Sequence, residues 1–206
     1  MNIGIIGAGF VGRTVGKLAV KAGHQVMISN SRGPKSMYSL PYAIGCTLGT
    51  VQEAVDFADI VLLAIPLYAY RDLPALLVAG KLVVDACNYY PDRDGHIPEL
   101  DKQEITSSAL LALHFNQSRI VKAFNAITMN DLDADGLPPV SPNRRALPIA
   151  GDKEEDKALI GRLYEQFGFD VVDAGRLAAG RNFEPGTPSY CKRLPRNELA
   201  SVLAEG

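Results

Sequence analysis

The sequence predicts an α/β fold, a doubly wound, mostly parallel sheet of about eight strands with helices packed on both faces. Two observations carry this prediction. Short β-branched apolar segments alternate with helical patterns along most of the 206 residues, as expected of successive βαβ units. The segment 59–66 is almost continuously apolar, which is typical of a strand whose two faces are both covered.

The first strand, turn and helix are predicted by residues 2–13. Three isoleucines form an apolar run, glycines follow at 7, 9 and 12, and apolar residues then recur at helical spacing. In such a motif the first glycine permits the turn, the second lets the backbone approach a pyrophosphate, and the third lets the helix pack closely on the strand. The N-terminus of the helix would then face the phosphates. The motif predicts a Rossmann-type dinucleotide site with contacts from Gly7, Gly9, Phe10, Val11 and Gly12.

The end of the second predicted strand, 25–29, indicates which dinucleotide fits. A site for NAD would place a carboxylate near this point to accept hydrogen bonds from the ribose 2′-hydroxyl. The chain instead offers Ser31, Arg32 and Lys35, which would hold a 2′-phosphate by charge-assisted hydrogen bonds. We therefore predict NADP(H) as the cofactor; the alternative is a solvated basic turn.

Further candidate residues lie where later strands end, because ligands of open α/β sheets bind beyond the carboxyl ends of the strands. Ala64, Ile65 and Pro66 close the buried strand 59–66, and Pro66 could equally be simple strand punctuation. We expect four residues at these ends to position a nicotinamide or flavin-like ring, the asparagines by amide hydrogen bonds; the alternative for the asparagines is a turn role. These four are Ile65, Asn88, Ala123 and Asn125.

The rest of the chain is predicted from local patterns. Thr50 and Glu53 have capping-box spacing, which predicts a helix start. The loop 136–143 contains three prolines and would be a lid or a connector. The other predicted helices are 70–77, 107–115, 153–167 and 197–204, and the other predicted strands are 44–48, 81–86, 119–125, 146–152 and 169–175.

Composition limits the function. With a net charge of −2, nothing suggests a nucleic-acid or anionic-membrane surface. No run reaches the roughly 18 apolar residues of a membrane span. The three cysteines and three histidines are scattered and indicate neither a disulfide framework nor a metal site. We expect a cytoplasmic protein with one domain over 1–206, in which 1–125 form the dinucleotide-binding core and 126–206 a sheet extension and short C-terminal tail.

With these residues placed, the chain resembles the NADPH-dependent reductases of the deazaflavin coenzyme F420 and their bacterial relatives, and the cytosolic NADPH-binding domain of the six-transmembrane metalloreductases. Five motifs carry the resemblance: Gly7 to Gly12, Ser29 to Arg32, Val121 to Asn125, Pro148 to Asp152 and Phe169 to Gly175. The resemblance implies NADPH with its 2′-phosphate near Ser31 and Arg32, and hydride passed to a flavin-type ring. The segments 182–188 and 191–206 depart from the family, which leaves the acceptor open among F420, FMN and FAD.

Hydride transfer between two stacked rings needs proximity and orientation more than a positioned acid or base. The sequence accordingly shows no Tyr-x-x-x-Lys pair, and we predict no catalytic side chain; a structural role is expected for His114. Two alternatives stay open. One is a non-catalytic NADPH sensor or partner-binding module, and the other is a small imine or β-hydroxyacid reductase similar to pyrroline-5-carboxylate reductase. The expected partner is a small redox acceptor, and a homodimer is one oligomeric state the sequence allows.

Overall fold

The computed structural model describes residues 1–205. An eight-stranded sheet in the order β3-β2-β1-β4-β5-β6-β7-β8 forms its centre, which confirms the predicted fold class. The strands are β1 (Asn2–Ile6), β2 (Gln25–Ser29), β3 (Thr47–Leu48), β4 (Ile60–Leu63), β5 (Leu82–Asp85), β6 (Arg119–Lys122), β7 (Ala146–Gly151) and β8 (Asp170–Gly175).

The first six strands run in one direction and the last two in the other. All five pairings among β1 to β6 are parallel, β7 is antiparallel to β6, and β8 is parallel to β7. The strand order reverses between β1 and β4, which are neighbours in the sheet: β2 and β3 lie on the far side of β1, and β5 to β8 lie on the far side of β4. In open α/β sheets, ligands bind beyond the carboxyl ends of the strands at such a switch point.

Helices cover both faces of the sheet. They are α1 (Phe10–Lys21), α2 (Leu40–Ile44), α3 (Val51–Phe57), α4 (Pro91–Asp94), α5 (Pro98–Asp101), α6 (Ser107–His114), α7 (Met129–Ala134), α8 (Glu154–Gln166) and α9 (Arg196–Ala204). The 3-10 turns are Pro34–Met37, Leu67–Asp72 and Leu177–Phe183. The predicted capping box is present, since the Thr50 side chain accepts from the Glu53 N–H and the Glu53 side chain from the Thr50 N–H. None of the helices described is long and apolar enough to cross a bilayer.

The core has a layer on each face of the sheet. Along β4, Ile60 and Leu62 are buried with the α1 side, whereas Val61 and Leu63 are buried with the opposite layer. This two-sided burial is the reason that the strand is continuously apolar. A third, smaller cluster joins Phe183 and α9 to β7 and β8, so the C-terminal segment packs on the sheet.

Three predicted elements were wrong in extent. The helix expected over 70–77 is only the turn Leu67–Asp72, because Leu73 is extended ahead of Pro74, as a residue before proline prefers. The strand expected over 119–125 ends at Lys122, and Phe124 has a φ of 63°, which no strand accommodates. The strand expected over 44–48 is limited to Thr47–Leu48 because Ile44 ends α2.

Candidate functional site

Two adjoining clefts lie at the carboxyl edge of the parallel strands. The first cleft has a volume of about 760 Å³ and the second about 410 Å³, both within the range typical of small-molecule sites. They share Gly9, Ala64, Ile65 and Pro66. One extended ligand could therefore occupy both clefts by crossing the glycine turn.

The first and third glycines bring the turn and α1 against the sheet. Gly7 has a φ of 114°, and its N–H donates to the Ser29 carbonyl at 3.0 Å. A Cβ at Gly7 would lie 2.1 Å from the Ala64 carbonyl oxygen, and one at Gly12 would lie 2.0 Å from the Gly7 carbonyl oxygen. No other residue fits either position without moving the backbone.

Gly9 plays a different part from its two neighbours. It is the N-cap of α1 and makes no side-chain cap, and a Cβ placed on it would meet no atom within 4 Å. The first N–H groups of a helix have no partner inside the helix. The open space above Gly9 is thus a cradle of N–H donors at the positive end of α1, which fits a pyrophosphate.

Basic and polar groups line the far wall of the first cleft. The Asn30 side chain accepts from the Arg32 N–H at 3.0 Å and exchanges hydrogen bonds with Ser36, and this turn presents Ser31 and Arg32 to the cleft. Within residues 1–205 the Arg32 guanidinium forms no ion pair. The positive charge of Arg32 is therefore available to an anionic ligand. Lys35 is exposed and, in contrast to Ser31 and Arg32, does not line the cleft.

The predicted asparagines meet in the second cleft. Asn88 Nδ2 donates to the Asn125 carbonyl at 3.0 Å, and Asn125 Nδ2 donates to Asn88 Oδ1 at 3.1 Å and to the Phe183 carbonyl at 3.0 Å. The Asn125 Oδ1 atom is buried and has no hydrogen-bond partner among the described residues. Ala123 is fully buried and lines neither cleft, so the structure does not bring it to the other predicted residues.

A buried ion pair below the second cleft was missed by the sequence reasoning. Lys122 and Asp85 are both fully buried, and Lys122 Nζ lies 3.3 Å from Asp85 Oδ2 and 3.7 Å from Glu184 Oε1. The Lys122 ammonium also donates to Ser107 Oγ at 3.0 Å, and Ser108 Oγ donates to Asp85 Oδ2. The sequence did contain a signal for this pair: Asp85 and Lys122 each end a strand that is otherwise mostly apolar, and a buried charge requires a partner.

The ion pair holds the loop that carries Asn88. Asp85 Oδ1 accepts from the Cys87 N–H at 2.8 Å, and Lys122 Nζ donates to the Cys87 carbonyl at 3.2 Å. The complete burial of Cys87 raises the pKa of its thiol well above the ordinary value, so this cysteine stays protonated. The ion pair therefore holds both the N–H and the carbonyl group of Cys87. These two contacts fix the path of the loop after β5.

Two tyrosines far apart in sequence close the second cleft. The hydroxyl oxygens of Tyr90 and Tyr190 lie 2.5 Å apart, and Asn88 Nδ2 donates to the Tyr190 hydroxyl at 3.2 Å. The Arg93 guanidinium lies 4.9 Å from the centroid of the Tyr90 ring. Burial, and then the hydrogen bond with Tyr90, raise the pKa of Tyr190. Tyr190 lies between the two segments, 182–188 and 191–206, that depart from the resembled family.

Asp94 joins the loops that follow β4 and β5. Its buried carboxylate accepts from the Tyr90 N–H at 2.8 Å, from the Tyr68 N–H at 3.4 Å and from Arg93 Nε at 2.9 Å. Burial alone would raise its pKa, but these hydrogen bonds outweigh burial and the pKa is lowered. The carboxylate of Asp94 therefore holds together the loop that carries Tyr68 in the first cleft and the loop that carries Tyr90 in the second.

Two other expected features lie away from the clefts. The His114 ring nitrogen Nε2 contacts the Leu73 carbonyl oxygen at 2.8 Å, and its ring packs between Tyr70 and Phe115, which is a structural role. None of the residues 136–143 lines either cleft. Among residues 1–205, no three His, Cys, Asp or Glu side chains come together as a metal site.

Residues 2–89 match a protein family described as NADP oxidoreductase, coenzyme F420-dependent. The matched range contains every residue that lines the first cleft but ends before β6 and the C-terminal segment that complete the second. No match to the chain was found among the curated protein sequences.

Three solved structures illustrate the similarity of fold. A hypothetical protein of Sinorhizobium meliloti is 28% identical, with a TM-score of 0.79 and 93% of each chain covered. A candidate F420-dependent NADP-reductase of Arthrobacter sp. FB24 is 22% identical, with a TM-score of 0.74 and 88% of each chain covered. A pyrroline-5-carboxylate reductase of Coxiella burnetii is 17% identical, with a TM-score of 0.57, and the similarity covers 84% of this chain but 58% of that one.

Proposed function

We propose that this chain, whose residues 2–89 match the family described as NADP oxidoreductase, coenzyme F420-dependent, is an NADP-dependent oxidoreductase that passes hydride between the nicotinamide and a flavin or deazaflavin acceptor. The observation that carries the proposal is the pair of clefts that share the glycine turn. The dinucleotide crosses that turn, with its adenosine half in the first cleft and its nicotinamide in the second.

The first cleft supplies the binding energy for the cofactor. The N–H groups around Gly9 and the positive end of α1 face the pyrophosphate. Ser31 and Arg32 hold the 2′-phosphate by charge-assisted hydrogen bonds, because the Arg32 guanidinium has no carboxylate partner and a phosphate would be its first. Lys35, which is exposed nearby, adds only a long-range attraction.

The second cleft positions the two rings. Asn88 and Asn125 hold each other by reciprocal amide hydrogen bonds, and the unfilled Asn125 Oδ1 is an acceptor of the kind that a carboxamide N–H satisfies. Ile65, together with Ala64 and Pro66, forms the apolar floor common to both clefts. The bound nicotinamide supplies the hydride; the protein supplies proximity, orientation and exclusion of water.

The test is a calorimetric titration of the purified protein with NADPH and NADH, followed by addition of F420, FMN, FAD or a ferric chelate while the absorbance of the reduced nicotinamide is recorded. We expect preferential binding of NADPH and its oxidation by a flavin-type acceptor. Binding without oxidation by any acceptor would favour a non-catalytic sensor module. Absence of binding would contradict the proposal. Light scattering on the same samples, with and without NADPH, tests whether the protein forms the homodimer that the sequence allows.

A further inference from the structure

We propose that Tyr90 donates the proton that accompanies the hydride, and that Tyr190 holds the Tyr90 hydroxyl in place, so that the physiological acceptor is one whose reduced form carries a new N–H or O–H bond. This inference rests on the proposed function and assigns the acid that hydride transfer to such an acceptor requires. It excludes acceptors such as a ferric ion, which take electrons alone.

The composition of the second cleft leaves few groups for this role. Of the described residues that line it, none is Asp, Glu, His or Lys. The Thr128 hydroxyl caps α7 by accepting from the Asp131 N–H, and the Cys87 thiol is buried and directed at the Leu63 carbonyl. Arg93 is held by Asp94 and the Asn88 carbonyl, and a guanidinium does not release its proton. The tyrosine pair and the Cys191 thiol remain, and the two tyrosines are joined hydroxyl to hydroxyl at 2.5 Å within the cleft.

The geometry distinguishes the two tyrosines. We assign Tyr190 as the donor of the hydrogen bond between the two hydroxyls, because Asn88 Nδ2 already donates to the Tyr190 oxygen and burial raises the pKa of Tyr190. Tyr90 is 37% exposed and has the Arg93 guanidinium against its ring. When Tyr90 gives up its proton, its oxygen therefore faces the Tyr190 hydroxyl at 2.5 Å, and its ring faces the Arg93 guanidinium.

The step balances in atoms and charge. The hydride brings two electrons to the acceptor, and the negative charge that develops on an acceptor nitrogen or oxygen takes the proton from Tyr90 as the O–H bond breaks. Water then reprotonates Tyr90, which its partial exposure allows. Overall, NADPH, the acceptor and one proton are consumed, and NADP⁺ and the reduced acceptor are formed.

The test compares Tyr90→Phe and Tyr190→Phe with Tyr89→Phe as the matched control. The Tyr89 hydroxyl contacts Asp101 and the Gly95 carbonyl and does not line the second cleft, so this control removes a hydrogen-bonded hydroxyl from the neighbouring residue alone. With the acceptor that the wild-type protein uses best, we expect Tyr90→Phe to lower kcat by about 100-fold or more, the usual contribution of a general acid. Tyr190→Phe should lower kcat by roughly 10-fold because it removes one hydrogen bond to the phenolate. NADPH affinity should change less than about twofold in all three variants.

The pH profile separates proton donation from a structural role. The charged and titratable groups around Tyr90 are Tyr190 and Cys191 on the C-terminal segment and Arg93 and Asp94 on its own loop. We expect the pH dependence of kcat to differ between the wild-type protein and Tyr90→Phe, because only the wild-type protein takes the proton from this tyrosine.

Several results would overturn the inference. Tyr90→Phe with the wild-type kcat and pH profile would remove Tyr90 from the reaction, and a large loss of NADPH affinity would make it a binding residue instead. A wild-type protein that reduces only the ferric chelate would show that no proton is needed. Failure of the wild-type protein to oxidise NADPH with any acceptor contradicts the proposed function itself, and is seen before any variant is made.

Discussion

The first cleft is built from residues 6–77 alone, whereas the second draws on segments from Gly9 to Cys191. In the first, most of the groups proposed to meet the cofactor are backbone, namely the turn at Gly7 and the N–H donors around Gly9 at the start of α1, and the side chains of Ser31 and Arg32 are close to them in sequence. In the second they are side chains that meet across long sequence separations, such as Tyr90 with Tyr190. The proposed dinucleotide site is thus encoded locally, whereas the proposed acceptor site depends on how distant parts of the chain pack together.

The largest effect is expected from the ion pair below the second cleft. Lys122→Met leaves Asp85 buried and unpaired, and loss of one partner of a buried pair costs about 3–5 kcal/mol in the free energy of unfolding. The double variant Lys122→Met/Asp85→Asn should recover part of that loss because no net charge stays buried. Denaturant unfolding of the two variants measures both values. If Lys122→Met were as stable as the wild-type protein, the second cleft would not depend on this pair.

Gly7→Ala tests the backbone construction of the first cleft. An alanine there would have to adopt the φ of 114°, and its methyl group would overlap the Ala64 carbonyl. We therefore expect the free energy of unfolding to fall by about 3 kcal/mol, because the backbone is strained and the chain must move. Thermal unfolding and NADPH titration record the loss of stability and of binding together.

Gly9→Ala is the matched partner of that variant. Its methyl group meets no protein atom, so stability should stay within about 1 kcal/mol of the wild-type value, while NADPH affinity falls because the methyl group occupies the pyrophosphate space. Undiminished NADPH binding by Gly9→Ala would place the cofactor elsewhere.

Arg32→Glu sharpens the comparison by changing cofactor choice alone. Removal of a charge-assisted hydrogen bond and addition of a repulsive carboxylate should weaken NADPH binding by about 10- to 100-fold and leave NADH binding nearly unchanged. Lys35→Glu is the control, because this residue is equally basic but lies outside the cleft. Equal losses of NADPH and NADH affinity in Arg32→Glu would mean that the 2′-phosphate is bound by other residues.

The smallest effect is expected from Asp94, which links the two clefts. Its folded pKa is lowered, so its contribution to stability is complete above the ordinary carboxyl pKa of about 4 and is lost as the pH falls through the folded value. Asp94→Asn should cost about 1 kcal/mol at neutral pH, and the difference from the wild-type protein should shrink in acid. A difference that is the same at every pH would show that the carboxylate charge is irrelevant.

The features that the sequence predicted correctly are those set by neighbours along the chain. The strand, turn and helix of the glycine motif, the capping box at Thr50 and the two-sided burial of β4 each follow from a few consecutive residues. Lys35 was grouped with Ser31 and Arg32 for the same reason, although the turn at Pro34–Met37 carries it away from the cleft. Local patterns therefore predict which segment forms a wall better than which side chains face inward.

The features that could not be predicted depend on tertiary contacts. Ala123 follows directly after β6 and is buried, and the positive φ at Phe124 is what turns Asn125 towards Asn88. The Tyr90 and Tyr190 hydroxyls meet only because the C-terminal segment returns to the sheet edge. The Asp85 and Lys122 charges were visible in the sequence, but their mutual distance depends on the register of β5 with β6.

Transfer of deuterium is the most direct test of the central proposal, that the second cleft holds the nicotinamide and the acceptor ring side by side. Each stereoisomer of NADPH deuterated at C4 of the nicotinamide is oxidised by the protein with the deazaflavin as acceptor, and the reduced deazaflavin is weighed by mass spectrometry. We predict that one of the two isomers delivers its deuterium to the carbon of the deazaflavin ring, because hydride passes directly between rings held in one orientation. Deuterium that appears in water, or transfer from both isomers alike, would contradict the account.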